Sequence, residues 1–138
     1  TDISFVESWS GCLEVVATGG IPVGGQDFDR RLLEILERKN PGGSPGSSGL
    51  LRAAEEAKIS LTTNDEVSVS IGVGDSPETL TLTREEFEEA LQSDLQRISE
   101  AIQETAQRAG VALPPAGIAG PLHVSRLVMA GGASFVPA

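Results

Sequence analysis

Cysteine occurs once in this 138-residue chain, as Cys12, and histidine once, as His123. One cysteine excludes an internal disulfide and makes a reducing compartment the natural setting. Inside an apolar strand, Cys12 reads as a small core residue. One histidine leaves a histidine-built metal site or a Ser-His-Asp triad without its parts, and His123 reads as a solvated or core-edge imidazole. Basic residues are also scarce: 10 Lys and Arg stand against 20 Asp and Glu, a net charge of −10. That balance argues against a nucleic-acid groove and against an anionic membrane surface, both of which need clustered positive charge. A small anionic ligand stays allowed, because a few backbone N–H groups can hold phosphate inside an acidic protein. No apolar run approaches the roughly 20 residues that span a bilayer, and no signal-peptide pattern is present. The chain opens in a strand-like run without an initiator methionine, and reads as a piece of a longer protein.

What is present is enough for one domain or two small lobes: 39 % hydrophobic and 22 % charged residues. "DISFVESWSGCLEVVAT" reads as a hairpin, with Ile3, Phe5 and Val6 on one strand and Leu13, Val15 and Val16 on the other. "WSGC" is the turn and Gly11 its permissive residue. Residues 24–40 read as a helix through Phe28, Leu32, Ile35 and Leu36, with Asp27 and Asp29 near its start and Arg38 and Lys39 near its end, as the helix dipole favours. "PGGSPGSSG", residues 41–49, is a flexible loop. A second helix over 50–63 carries Leu51, Ala54, Ala57, Lys58 and Leu61 on one side. Strands follow at 66–74 and 79–83, joined through Gly74, Asp75, Ser76 and Pro77. A long helix over 84–109 starts from a capping box, Thr83 with Glu86, and stops at Gly110. After a Pro/Gly-rich connection, a last strand is expected near Ser125–Ala130. The order β-β-α-α-β-β-α-β is mixed α/β. It suggests a terminal sheet (residues 1–25 and 111–138) made from both chain ends, with a helix-and-hairpin lobe (residues 26–110) inserted.

Four features could carry chemistry, and each also has a plainer reading. Gly24-Gly25 before a helix lets backbone amides approach an anion; standing alone, the pair reads first as a tight turn into the helix. Gly131-Gly132 lies where α/β ligands gather if a strand precedes it. Glu55, Lys58 and Thr62, spaced by three and four, share a helix stripe that could meet sugar hydroxyls, or form an exposed ion pair. Asp2 is a surface strand residue or the end of a phosphate or metal motif. The acidic group Glu85, Glu86, Glu88 and Glu89 reads as a solvated helix face.

In this order, "TDISFVE", "VVATGGIPVGGQDFDRRLL", "LLRAAEEAKISLTT", "LTLTREEFEEAL" and "VSRLVMAGGASFVP" resemble the second lobe of the nucleotide-binding domain of DnaK-type heat-shock chaperones, within the actin, sugar-kinase and heat-shock ATPase superfamily. The resemblance implies a ribonuclease-H-like inner sheet and an inserted outer subdomain. It implies that Gly24 and Gly25 approach phosphates, that Glu55, Lys58 and Thr62 meet ribose and adenine, and that Gly131, Gly132 and Ala133 meet the nucleotide from the other side. Asp2 matches the carboxylate that helps hold Mg²⁺ and its waters. It further implies ATP or ADP with Mg²⁺ as cofactors of a parent ATPase active in the cytoplasm and in stress response. The partners implied are a nucleotide exchange factor, co-chaperones, and client peptides bound by a domain outside this chain.

Two positions depart from the pattern. Ala133 stands where the family usually has Ser, and Phe135 where an Arg stacks on adenine; Phe keeps a stacking face but loses the cation. Phosphoryl transfer needs groups on both walls of the cleft, so the chain alone is expected to be inactive and to bind nucleotide weakly or not at all. The rival reading is a diverged actin-like scaffold or regulatory module whose nucleotide binding has decayed. A sugar kinase or filament protein is a third.

Overall fold

A computed structural model describes residues 1–41, 48–71, 78–114 and 124–136. The expected links through 42–47 and 72–77, and His123, lie outside the described residues. The chain divides into two compact units: Thr1–Val23 with Ser93–Met129, and Gly24–Gln92 with Ala130–Ala138.

In the first unit, β1 (Asp2–Trp9) and β2 (Cys12–Gly20) pair antiparallel from Asp2↔Gly20 to Trp9↔Cys12, with a register shift between Phe5 and Val6. Ser10 (φ 45°) and Gly11 (φ 80°) both turn left-handed, the two-residue geometry whose twist matches a hairpin. Cys12 is exposed, as are Trp9, Leu13 and Val15. The expectation of a core cysteine is thereby corrected. Nothing described covers that end of the two-stranded ribbon, so strand alternation there does not translate into burial. Gly19 on β2 faces the helix residues Thr105 and Arg108 so closely that an added Cβ would overlap the Thr105 hydroxyl.

The expected last strand is also corrected. Residues 124–130 belong to no strand, and Leu127, Val128 and Met129 are 81, 77 and 66 % exposed. An apolar extended run becomes a strand only when a free edge pairs with its backbone, and the described sheet here has β1 and β2 alone.

The second unit packs α1 (Gly25–Lys39) on α2 (Ser48–Leu61), with α2 against β3 (Glu66–Ile71) and α1 against β4 (Glu78–Thr83). α1 buries Phe28, Leu32, Ile35 and Leu36, and α2 buries Ala54, Ala57 and Leu61. The two alanines let the helices approach closely. Leu51 is exposed instead of joining that stripe: it lies in the first turn of α2, ahead of the buried alanines. β3 and β4 pair antiparallel with Val67 opposite Leu82 and Val69 opposite Leu80. Val69, Ile71 and Leu82 are buried, while Ser68 and Ser70 face out.

α3 (Arg84–Arg108) runs 25 residues. Its capping box forms as read: Glu86 N–H donates to Thr83 Oγ1 at 3.2 Å and Thr83 N–H donates to the Glu86 carboxylate at 3.1 Å. Glu86 is more than a solvated face, since Lys39 Nζ also reaches it at 2.7 Å, tying α1 to the start of α3. Phe87 and Leu91 are fully buried. The helix ends at Gly110 (φ 70°), where Gly110 N–H bonds Gln107 O at 3.1 Å and Val111 N–H bonds Ala106 O at 2.9 Å. That pair of bonds is the Schellman closure, which a left-handed glycine makes without steric cost. Among the described residues, no helix is long and apolar enough to cross a membrane.

Candidate functional site

The second unit holds all the sequence-predicted site residues but Asp2. Its helix α1 begins with an incomplete cap. The Asp27 carboxylate accepts from Gly24 N–H at 2.9 Å, while Asp27 N–H and Phe28 N–H bond back to Gly24 O at 2.9 and 3.2 Å. The next amides, of Gly25 and Gln26, have no hydrogen bond among the described residues. They are first-turn donors at the positive end of the helix dipole. An added Cβ at Gly24 would meet nothing within 4 Å, so open space lies before this backbone.

Lys58 reaches this start from α2. Its ammonium lies 2.6 Å from Asp29 Oδ1 and donates to Gly25 O at 3.3 Å, with the Lys58 and Asp29 side chains only 14 and 11 % exposed. Lys58 is therefore not a free solvated charge, and its partner is not the Glu55 that its spacing suggests. Asp29 is the site residue that the sequence reading passed over as a helix-start charge. The signal was there: it lies between Phe28 and Leu32 on the inward face of an amphipathic helix, where a lone carboxylate requires a partner.

The third side comes from the C-terminal segment. Gly131 (φ 97°) opens a 3-10 turn, Gly132–Phe135, closed by Ser134 N–H and Oγ donating to Gly131 O at 3.1 and 2.6 Å. A Cβ on Gly25 would lie 3.6 Å from Lys58 Nζ and 3.8 Å from Ala133 Cβ. The start of α1, the Lys58 side chain and the glycine turn thus converge on one residue without a side chain. Gly131 and Gly132 face open space, and Phe135 is 76 % exposed.

The remaining predicted residues are less tightly drawn in. Glu55 is exposed and makes no hydrogen bond among the described residues, leaving both carboxylate oxygens available. Thr62 lies just past the end of α2, half-buried, its hydroxyl donating to Ile59 O at 2.6 Å, so it faces a ligand as an acceptor only. Asp2 belongs to the first unit, where it pairs in register with Gly20 and is exposed. A shallow depression of about 620 Å³ on the second unit is lined by Arg31, Glu34, Glu37, Arg38 and Ala90. Its two arginines balance its two glutamates and Arg31 pairs with Glu34 at 3.4 Å, so it carries no net charge to attract an ion.

Backbone amides at a helix start, a glycine turn facing open space and a lysine paired with a carboxylate thus lie together within the second unit. The profile of the Hsp70 protein family matches residues 1–138, so the chain belongs to the Hsp70 family. Similar curated proteins include a chaperone protein HscA homolog of Aromatoleum aromaticum (34 % identity, 99 % of this chain, 21 % of the relative). Another HscA homolog, of Shewanella frigidimarina, is 33 % identical over the same shares. The chaperone protein DnaK of Deinococcus proteolyticus is 29 % identical over 99 % of this chain and 23 % of its own length. The chain therefore spans about a fifth of the length of these relatives.

Proposed function

We propose that this chain is part of the ATP-binding domain of an Hsp70-type chaperone and supplies one wall of its nucleotide cleft. The observation that carries the reading is the convergence of Gly25, Lys58 and Ala133, drawn from three separate segments, on one point of the second unit. The residues fit a nucleotide. The Gly25 and Gln26 amides are free donors for phosphate oxygens. The open faces of Gly131 and Gly132 allow close approach of a ligand. The Glu55 carboxylate can accept from ribose hydroxyls, Lys58 retains one N–H for sugar or base, and the exposed Phe135 ring offers a stacking face. Mg²⁺ bound with the nucleotide would supply charge neutralisation at the phosphates, with Asp2 as the carboxylate that orients its waters.

In the parent, ATP binding and hydrolysis drive a conformational switch coupled to client peptides held by a domain outside this chain. The outer part, residues 26–110, offers the surface on which an exchange factor docks, and co-chaperones act on the whole protein. The inner part comprises residues 1–25 and 111–138. One wall without the other does not turn over ATP.

Titration of the full-length parent with ADP tests the reading. Wild type binds, and Glu55→Ala and Lys58→Ala each weaken binding by about tenfold, the scale of one lost charge-assisted hydrogen bond. Equal and negligible binding by all three would instead support a scaffold module in which Ala133 and Phe135 mark a decayed site.

A further inference from the structure

Among the described residues of the second unit, Asp29 is the one charged residue that is buried. A carboxylate in that position needs a reason, since an apolar side chain of similar size would pack there at no desolvation cost. Its Oδ1 makes no hydrogen bond apart from the 2.6 Å ion pair with Lys58. The Lys58 ammonium carries three donors. One goes to the carbonyl of Gly25 at 3.3 Å, while the ammonium as a whole sits beside Asp29 as an ion pair, which leaves donor capacity for a further acceptor.

We propose that Asp29 is a positioning residue for nucleotide recognition: it holds the Lys58 ammonium against the first residue of α1 and cancels its charge, so that Lys58 presents one directed N–H to the sugar and base. The inference rests on the nucleotide reading above and sharpens it. A long, mobile lysine would have to be ordered by the ligand itself, whereas here the protein has already ordered it. A neutralised ammonium adds no net field toward phosphates, so their attraction falls to the Gly25 and Gln26 amides. The consequence is specific. Breaking the ion pair weakens adenosine and ADP by the same factor, because the group that loses its orientation faces the portion common to both ligands.

The test is calorimetric titration of the full-length parent with adenosine and with ADP, for wild type, Asp29→Asn and Asp29→Glu. Asp29→Asn weakens both ligands by about tenfold, and Asp29→Glu, which keeps the charge, stays within about threefold of wild type. A packing role alone gives the opposite ranking, since Asn matches Asp in shape and Glu does not. Wild-type affinity in folded Asp29→Asn overturns the proposal. So does a higher affinity in Asn than in Glu, or a loss confined to ADP. If Asp29→Asn does not fold, the double variant Asp29→Asn/Lys58→Met removes the stranded buried charge. It binds as Lys58→Met alone does, and a further multiplicative loss overturns the proposal. A wild-type parent that binds neither ligand removes the nucleotide reading itself. A wild type that binds while Asp29→Asn is unaffected removes only the role of Asp29.

Discussion

Gly19→Ala adds a single methyl group at a position where the structure has no room for it. Gly19 is not in the left-handed backbone region, so space alone decides the outcome. The new Cβ would overlap Thr105 Oγ1 and lie 2.7 Å from Arg108 Nη2 and 3.2 Å from Thr105 Cβ. The guanidinium end of Arg108 can swing aside, but the Thr105 atoms cannot. Thr105 is fully buried, its hydroxyl donates to Ala101 O at 2.7 Å, and that hydroxyl accepts from Arg108 Nη2 at 3.2 Å. Relief requires Thr105 to leave its rotamer, giving up two hydrogen bonds of about 1 kcal/mol each, or β2 to lift from α3. Overpacking of this kind costs about 1–3 kcal/mol. The expectation is about 2 kcal/mol, read as a fall of roughly 6–8 °C in melting temperature for a chain of this size. Thermal unfolding followed by circular dichroism measures it. Thr105→Ala placed on Gly19→Ala should recover part of the loss, because it removes the atom that the methyl meets; the double variant is then more stable than the two single losses summed. A Gly19→Ala protein melting within a degree of wild type, or strict additivity in the pair, would refute the steric argument.

Two further outcomes follow from local geometry. The Glu86 carboxyl is held below its ordinary pKa, first by the hydrogen bond from Lys39 and then by Thr83 N–H. A lowered folded value means that its contribution is complete above the usual glutamate range and is lost as pH falls through the folded value. With the pair about a third exposed, Glu86→Gln costs only about 0.5 kcal/mol at pH 7. The difference in melting temperature between wild type and variant narrows as pH falls below the usual glutamate range, and a gap that does not change through acidification contradicts the assignment. Gly110→Ala forces a side chain into φ 70° at the end of α3. It lowers stability by about 1 kcal/mol in the same thermal assay, and an unchanged melting temperature would show that the helix end relaxes freely.

Much of the local structure was legible in the residues because local spacing governs it. "SWSGC" gives the two-residue turn its glycine, Thr83 with Glu86 makes the capping box at the separation that box needs, and Gly110 closes α3. Strict alternation in "EVSVSI" made β3 readable, with Val69 and Ile71 inward. The misreadings share one cause. Pattern alone puts Cys12 and Leu51 on buried faces and residues 125–130 in a strand, but burial and pairing depend on what lies opposite, and nothing described lies there. The site was half legible. Gly25, Lys58 and Ala133 do come together, whereas Lys58 pairs across to α1 rather than along α2.

The amino-acid sequence by itself determined where helices and hairpins begin and end, and through its ordered segments it placed the chain in the Hsp70 family. Those properties depend on neighbours a few residues apart, and on patterns that survive without knowledge of distant contacts. Only the tertiary structure decided which carboxylate Lys58 meets. Glu55, three residues before it, and Asp29, 29 residues before it, are both acidic; the packing of α1 on α2 buries Asp29 at 2.6 Å from the ammonium and leaves Glu55 in solvent. Desolvation then makes the choice, because a largely sheltered ammonium gains far more from a carboxylate beside it out of water than from one that water already satisfies.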